Sequence, residues 1–227
     1  MALRQPFYAI ALSCAGLSTA ANAATSITLS ANNDYLFNGV SQTNKNPALQ
    51  LGIDWQHASG FYLGVWGSNV DIDGSDIEAD ASAGFSGQLN AALNYDIGLG
   101  QYTYHGNSNS HELNYTEAHA SISYQQTSLT AWYAWDYAGT GARHYIVKLA
   151  HTVSLSDNAS LLLAVDRSAS LDQDQWNWEG SAGYVHWQLE GDYDLNGYQL
   201  SLGLHGTTLQ HTGDTRLLLG VSKSWDF

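Results

Sequence analysis

From Thr25 onward the chain alternates apolar and polar residues with period two, the signature of strands that have one apolar face. Leu49, Leu51, Ile53 and Trp55 alternate with Gln50, Gly52, Asp54 and Gln56. Ile77, Ala79, Ala81, Ala83 and Phe85 alternate with Glu78, Asp80, Ser82 and Gly84. Leu129, Ala131, Tyr133, Trp135 and Tyr137 form another such face, and Leu217, Leu219, Val221, Lys223, Trp225 and Phe227 a last one. The pattern predicts about twelve strands, each near the roughly 9–11 residues of a tilted strand that crosses a bilayer. They centre on 25–37, 47–57, 60–69, 76–86, 90–105, 112–125, 127–138, 143–155, 158–167, 176–189, 193–205 and 214–227. In the sixth and tenth, Tyr115 and Trp187 fall on the opposite parity to their neighbours, and a bulge in each is expected.

Short connections at His57–Gly60, Ser86–Leu89, Gln125–Thr127 and Ser156–Asp157 alternate with polar loops at Asn38–Asn46, Asp71–Ser75, Gly106–His111, Ser168–Gln175 and Gly206–Gly213. This alternation predicts an all-β chain forming a single closed antiparallel transmembrane barrel, with short periplasmic turns and longer extracellular loops. Composition narrows the choice. Charged residues are 12% of the chain, about half the usual share of a soluble domain. The polar face is Gly, Ser, Asn and Gln rather than Lys and Glu, which favours a membrane barrel over a secreted sandwich. No run approaches the roughly 20 apolar residues of a spanning helix. Seven Lys plus Arg against 21 Asp plus Glu exclude a protein that tracks nucleic-acid phosphates.

Residues 1–23 have the form of a signal peptide, with Arg4 before an apolar core from Phe7 to Gly16 and Ala21-Asn22-Ala23 as the cleavage site. Its removal leaves 24–227 as one barrel domain located in a bacterial outer membrane. Loss of Arg4 takes the basic residues from seven to six against 21 acids, so the net charge moves from −14 to −15. The single cysteine, Cys14, leaves with the signal, so the mature chain has no disulfide or thiolate metal site. The terminal Phe227, with Trp225, Val221 and Leu219 at alternate positions, reads as the assembly signal for the barrel-assembly machinery, interrupted by Lys223.

The run Asp34-Tyr35-Leu36-Phe37-Asn38-Gly39-Val40-Ser41-Gln42 resembles the opening of the TorF-family porins, the Gcw_chp family of proteobacterial outer-membrane proteins. Ser59-Gly60-Phe61-Tyr62-Leu63-Gly64-Val65-Trp66-Gly67-Ser68-Asn69-Val70-Asp71 is similar to that family's most recognisable stretch. Asn94-Tyr95-Asp96-Ile97-Gly98, Tyr102-Thr103-Tyr104 and Asn114-Tyr115-Thr116-Glu117 follow in family order. The resemblance covers roughly residues 26–125 and implies an outer-membrane porin without catalytic residues. Asn38 stands where the family commonly has Arg, and His105 where it commonly has Pro. Both lie near loops and bear on solute preference more than on fold.

The inward parity carries Gln50, Asp54, Glu78, Asp80, Asn94, Asp96, His144, Lys148, Arg216 and Asp226. Acids outnumber bases there, so a channel lined this way favours cations or neutral polar solutes. The alternative is that these groups pair and plug the interior, leaving a structural or adhesin-type barrel. Tyr62, Trp66, Tyr102, Tyr104 and Trp132 also point inward, either stacking on solutes or filling space. Trp55, Trp135, Tyr137, Tyr145 and Trp225 fit aromatic girdles at the membrane interfaces. Asp71–Asp76 resembles half a calcium loop without its closing Glu, and His105, His111, His205 and His211 fall on loops. Neither pattern amounts to a metal site, and no cofactor is expected. An outer-membrane hydrolase has little support, because no G-x-S-x-G elbow is present. The expected partners are outer-membrane lipid, the assembly machinery and small hydrophilic solutes.

Overall fold

The computed structural model describes residues 23–227. The segment expected to be a signal peptide, apart from Ala23, lies outside the described residues. The strands are β1 (Ala24–Asn32), β2 (Leu36–Phe37), β3 (Val40–Ser41), β4 (Ala48–Gln56), β5 (Phe61–Ile72), β6 (Ser75–Asn90) and β7 (Leu93–Gly106). They continue as β8 (Tyr115–Tyr124), β9 (Thr127–Ala134), β10 (His144–Ser156), β11 (Ala159–Ser170), β12 (Gly183–Leu195), β13 (Tyr198–Thr207) and β14 (Arg216–Asp226). β1 and β4 to β14 form a closed barrel of twelve strands, each paired with its sequence neighbour. Closure is made by β1 against β14, in the register Ile27 to Trp225 and Ala31 to Val221. The two-residue strands β2 and β3 form a separate hairpin within the first loop.

Alternation is what lets this sequence close. Leu51, Val65, Leu99, Leu149, Leu189 and Leu219 are exposed on the outer surface, while the residues between them face inward. Such a continuous apolar band is stable only against lipid or detergent. Closure pairs the backbone groups of both edges, so no open strand edge is presented to that environment.

The connections depart from the sequence pattern in several places. The expected turn at Ser86–Leu89 is part of β6, and the chain reverses at Ala91 and Ala92 instead. The expected loop at Asp71–Ser75 is a tight hairpin turn, with φ of 46° at Asp73 and 78° at Gly74. A two-residue turn with positive φ at both positions matches the twist of the flanking strands, and Asp-Gly supplies it. A further loop at 135–143 interrupts what the pattern reads as strand to 138. The tenth barrel strand starts at Gly183 rather than 176, and its hairpin turns on Asn196-Gly197, with φ of 55° and 82°. No bulge occurs at Tyr115 or Trp187. The ladder runs unbroken from Leu93–Tyr124 to Tyr102–Tyr115, and Trp187 pairs regularly with Val165 and Gly206. Tyr115 departs in chemistry, not in parity, because the inner face there is aromatic.

One end of the barrel has only short turns, and at the other the tight Asp73-Gly74 turn lies among the longer connections, some of which fold back inside. The first loop, Asn33 to Pro47, enters the barrel there and buries Asp34, Tyr35, Leu36 and Thr43. Tyr35 packs with Val70, Tyr102, Tyr104, Tyr115 and Tyr137 into an aromatic core, against which Trp66, Trp176 and Trp178 rest.

Candidate functional site: the barrel interior

The inner face of β4 to β7 carries the predicted carboxylates. Glu78, Asp80 and Asp96 are buried, and Asp54 is half-buried beside the bare backbone of Gly64. Glu78 accepts a hydrogen bond from the Tyr104 hydroxyl at 2.8 Å. Glu117, one of the inward residues of β8, accepts one from Tyr102 at 3.1 Å. Asp96 accepts from Tyr62 at 3.0 Å and lies 2.6 Å from His119 Nε2. The Tyr62 ring reaches both because it lies across glycines: a Cβ at Gly84 or Gly98 would stand 2.3 Å or 2.6 Å from its hydroxyl. One imidazole nitrogen engages both the acid and the phenol, which braces the wall and provides no nucleophile.

The opposite wall is organised around histidines. His186 Nδ1 is 2.7 Å from Asp166, and its Nε2 is 3.2 Å from Nδ1 of His205, with the two rings stacked at 6°. Which nitrogen donates in each contact depends on the tautomer, and His205 Nε2 stands 3.7 Å from Glu190. Lys148 donates to Gln188 at 3.1 Å. His205 is therefore an inner strand residue, not the loop residue its position suggested. Glu190 and Asp192 are also buried here on β12.

The first loop closes over both walls. Asp34 receives Arg216 Nη1 at 3.1 Å, Ser41 Oγ at 2.6 Å and Thr43 Oγ1 at 2.9 Å. Gly39 has φ of +82°, and a side chain there would fall 2.6 Å from the His186 ring. Tyr184 donates to the Asn38 carbonyl at 3.0 Å. A cavity of about 40 Å³ remains between this loop, β1 and β14, lined by Ser30, Asn32, Asp34, Tyr35, Gln50 and Trp66. That is room for water rather than for a solute.

Of the predicted aromatics, Tyr62, Tyr102 and Tyr104 are buried inside, Trp66 meets Tyr35 edge-on at 5.4 Å, and Trp132 is half-buried beside His119. Trp55, Trp135 and Trp225 lie on the outer surface, with Phe61 at 6.1 Å from Trp55 and Lys223 Nζ at 5.8 Å from Trp225. Tyr137 does not belong with them. It stacks on His144 at 4.1 Å inside the loop end, because β9 stops at Ala134 and the chain then turns inward. His144 accepts from Trp178 Nε1 at 3.2 Å. Gln50 and Asn94 face inward, while Asp226 and Phe227 are exposed at the turn end, where Phe227 exchanges backbone hydrogen bonds with Thr25. Among the described residues, no three His, Cys, Asp or Glu side chains converge to hold a metal ion.

A family model described as "Bacterial protein of unknown function (Gcw_chp)" matches residues 18–215. The chain belongs to the Gcw_chp family. Comparison with curated protein sequences finds no match. Among solved structures, this Gcw_chp barrel is similar to the NanC porin in a rhombohedral crystal form, with a TM-score of 0.59 and 7% identity over 87% of this chain and 97% of that one. It is also similar to the KdgM porin in complex with disordered oligogalacturonate, with a TM-score of 0.55 and 10% identity over 89% of this chain and 99% of that one. Identities this low make the likeness one of fold.

The inward residues beyond those predicted are instructive. Glu117 and His186 sit in the two strands whose parity looked irregular, and Glu190 and Asp192 were hidden by the misplaced turn. The Asn196-Gly197 dipeptide was the available signal for that turn.

Proposed function

We propose that this protein is a porin-type channel of the bacterial outer membrane, through which small hydrophilic solutes diffuse passively, with cations and neutral solutes favoured. The signal peptide directs export, the barrel-assembly machinery inserts the chain, and the apolar outer band contacts lipid. The observation that carries the reading is the combination of a closed twelve-strand barrel with an outward apolar face and an inward polar one. The membership of fold shared with porins supports it. Cation preference follows from the inward acids Asp54, Glu78, Asp80, Asp96 and Glu117, which face β4 to β8, where Lys and Arg are lacking on the inner side.

A second reading is a plugged barrel with a structural or adhesive role. It is favoured by the burial of Tyr35, Glu117 and His144 at the loop end and of Glu190 deeper in the barrel. Planar-bilayer conductance separates the two readings. A folded, heat-modifiable protein with a potassium-over-chloride preference supports the channel. Absence of conductance, or chloride preference, overturns it.

A further inference from the structure

Glu78 and Asp80 on β6 and Glu117 on β8 share one buried region, and β7 between them contributes Tyr102 and Tyr104. Tyr35, Tyr115 and Tyr137 complete the surround. Asp80 Oδ1 and Glu117 Oε2 accept no hydrogen bond, although the two residues are only 6% and 2% exposed. Among the described residues, no Lys, Arg or His forms an ion pair with any of the three acids. Carboxylate oxygens in so dry a place require either protonation or a counter-charge.

We propose that this cage of phenols and carboxylates binds an organic cation, a diamine or a guanidinium compound, in transit through the channel; the proposal rests on the porin reading above. The spacing supports an extended cation over a bare ion. Alternate residues of a strand stand about 6.6 Å apart, and strands about 4.8 Å apart, so Glu117 lies on the order of 10 Å across from β6. That spread matches a short diamine, and it is too wide for one metal ion, consistent with the lack of a convergent metal group among the described residues. The phenol faces add cation–π attraction between the charged ends. Tyr35 belongs to the first loop and packs with Tyr102 and Tyr104, while Glu78 Oε2 on the wall accepts no hydrogen bond. Withdrawal of that loop leaves a polar position beside Glu78 that an ammonium group fills.

The test is calorimetric titration of 1,4-diaminobutane into the full-length mature protein, folded in detergent, with potassium chloride and a neutral diol of equal length as controls. Saturable diamine binding is expected, weakened at least tenfold in both Asp80→Asn and Glu117→Gln. Heat-modifiable migration of each acid variant confirms that its barrel is folded, so that weakened binding reports the loss of the carboxylate. No diamine binding, equal binding of the diol, or binding unchanged in folded Asp80→Asn overturns the proposal. Bilayer recording separates this failure from that of the porin reading. A conducting protein indifferent to diamine retains the channel and loses the cage, whereas a non-conducting one loses the channel itself.

Discussion

Arg216 on β14 lies 3.1 Å from Asp34 in the first loop and so ties the barrel wall to the segment that fills it. The two side chains are mostly buried, so removing one partner leaves the other uncompensated. Asp34→Asn or Arg216→Gln is expected to free the loop, raise single-channel conductance and lower stability by about 3 kcal/mol. Bilayer recording and denaturant unfolding measure the two effects, and unaltered conductance in a folded variant would show that the loop does not limit passage.

Neutralising the inward acids probes selectivity. Asp54→Asn, Glu78→Gln and Asp80→Asn are each expected to reduce the potassium-over-chloride ratio, and the triple variant most of all. Reversal potentials in a salt gradient give the ratio directly. A ratio untouched by the triple variant would remove these residues from the solute path.

Two loop carboxylates define an acid limit. Hydrogen bonds from the Arg143 guanidinium and its backbone N–H hold Asp172 down at about 2. Burial pushes Glu179 up, but the backbone amides of Gln210, Thr212 and His211 outweigh it and hold it at about 2. Both values are depressed relative to an unfolded carboxylate near pH 4, so their stabilising effect is complete above that pH. It is lost as the pH falls toward 2. Exchange of the Gln210, His211 and Thr212 amides is expected to stay slow at pH 5 and quicken below pH 3. Fast exchange at pH 5 would contradict the latch.

Glycines make room for the Tyr62 brace. A Cβ at Gly98 would meet the Tyr62 hydroxyl at 2.6 Å, His119 at 2.7 Å and the Ala83 carbonyl at 2.8 Å. Gly98→Val is expected to displace Tyr62 from Asp96 and cost about 1–3 kcal/mol. The denaturation midpoint reports it, and Gly191→Val, whose nearest neighbour is 4.0 Å away, is the control.

Cleavage after Ala23, as the sequence leads one to expect, would place Ala24, the first residue of β1, at the new N-terminus. Intact-mass measurement of protein extracted from membranes is expected to show the chain from 24 to 227, and a mass that includes residues 1–23 would contradict the signal reading.

How much of this was legible follows from what period two encodes. It records which face each residue takes, so Asp54, Glu78, Asp80 and Lys148 could be placed inward without knowing any partner. It is blind wherever both faces carry aromatics, as at Tyr115, and wherever a loop folds back inside, as at Tyr35 and Tyr137. Those positions are decided by contacts between residues far apart in the chain, such as Tyr137 with Trp176 and Trp178. The Trp-rich stretch at 176–178 looked like strand because apolar side chains serve a packed loop as well as a ladder. Asp34 carried no local mark of its role, since its partner is 182 positions away.

The wall and the stopper are built from separate parts of the chain. Twelve strands hold the cylinder, and one loop with its two-residue hairpin buries Asp34, Tyr35, Leu36 and Thr43 against it. Drift or deliberate exchange within Asn33–Pro47 can thus change what lines the interior without touching the ladders that close the barrel. The segment is a natural cassette for redesigning the interior of this barrel.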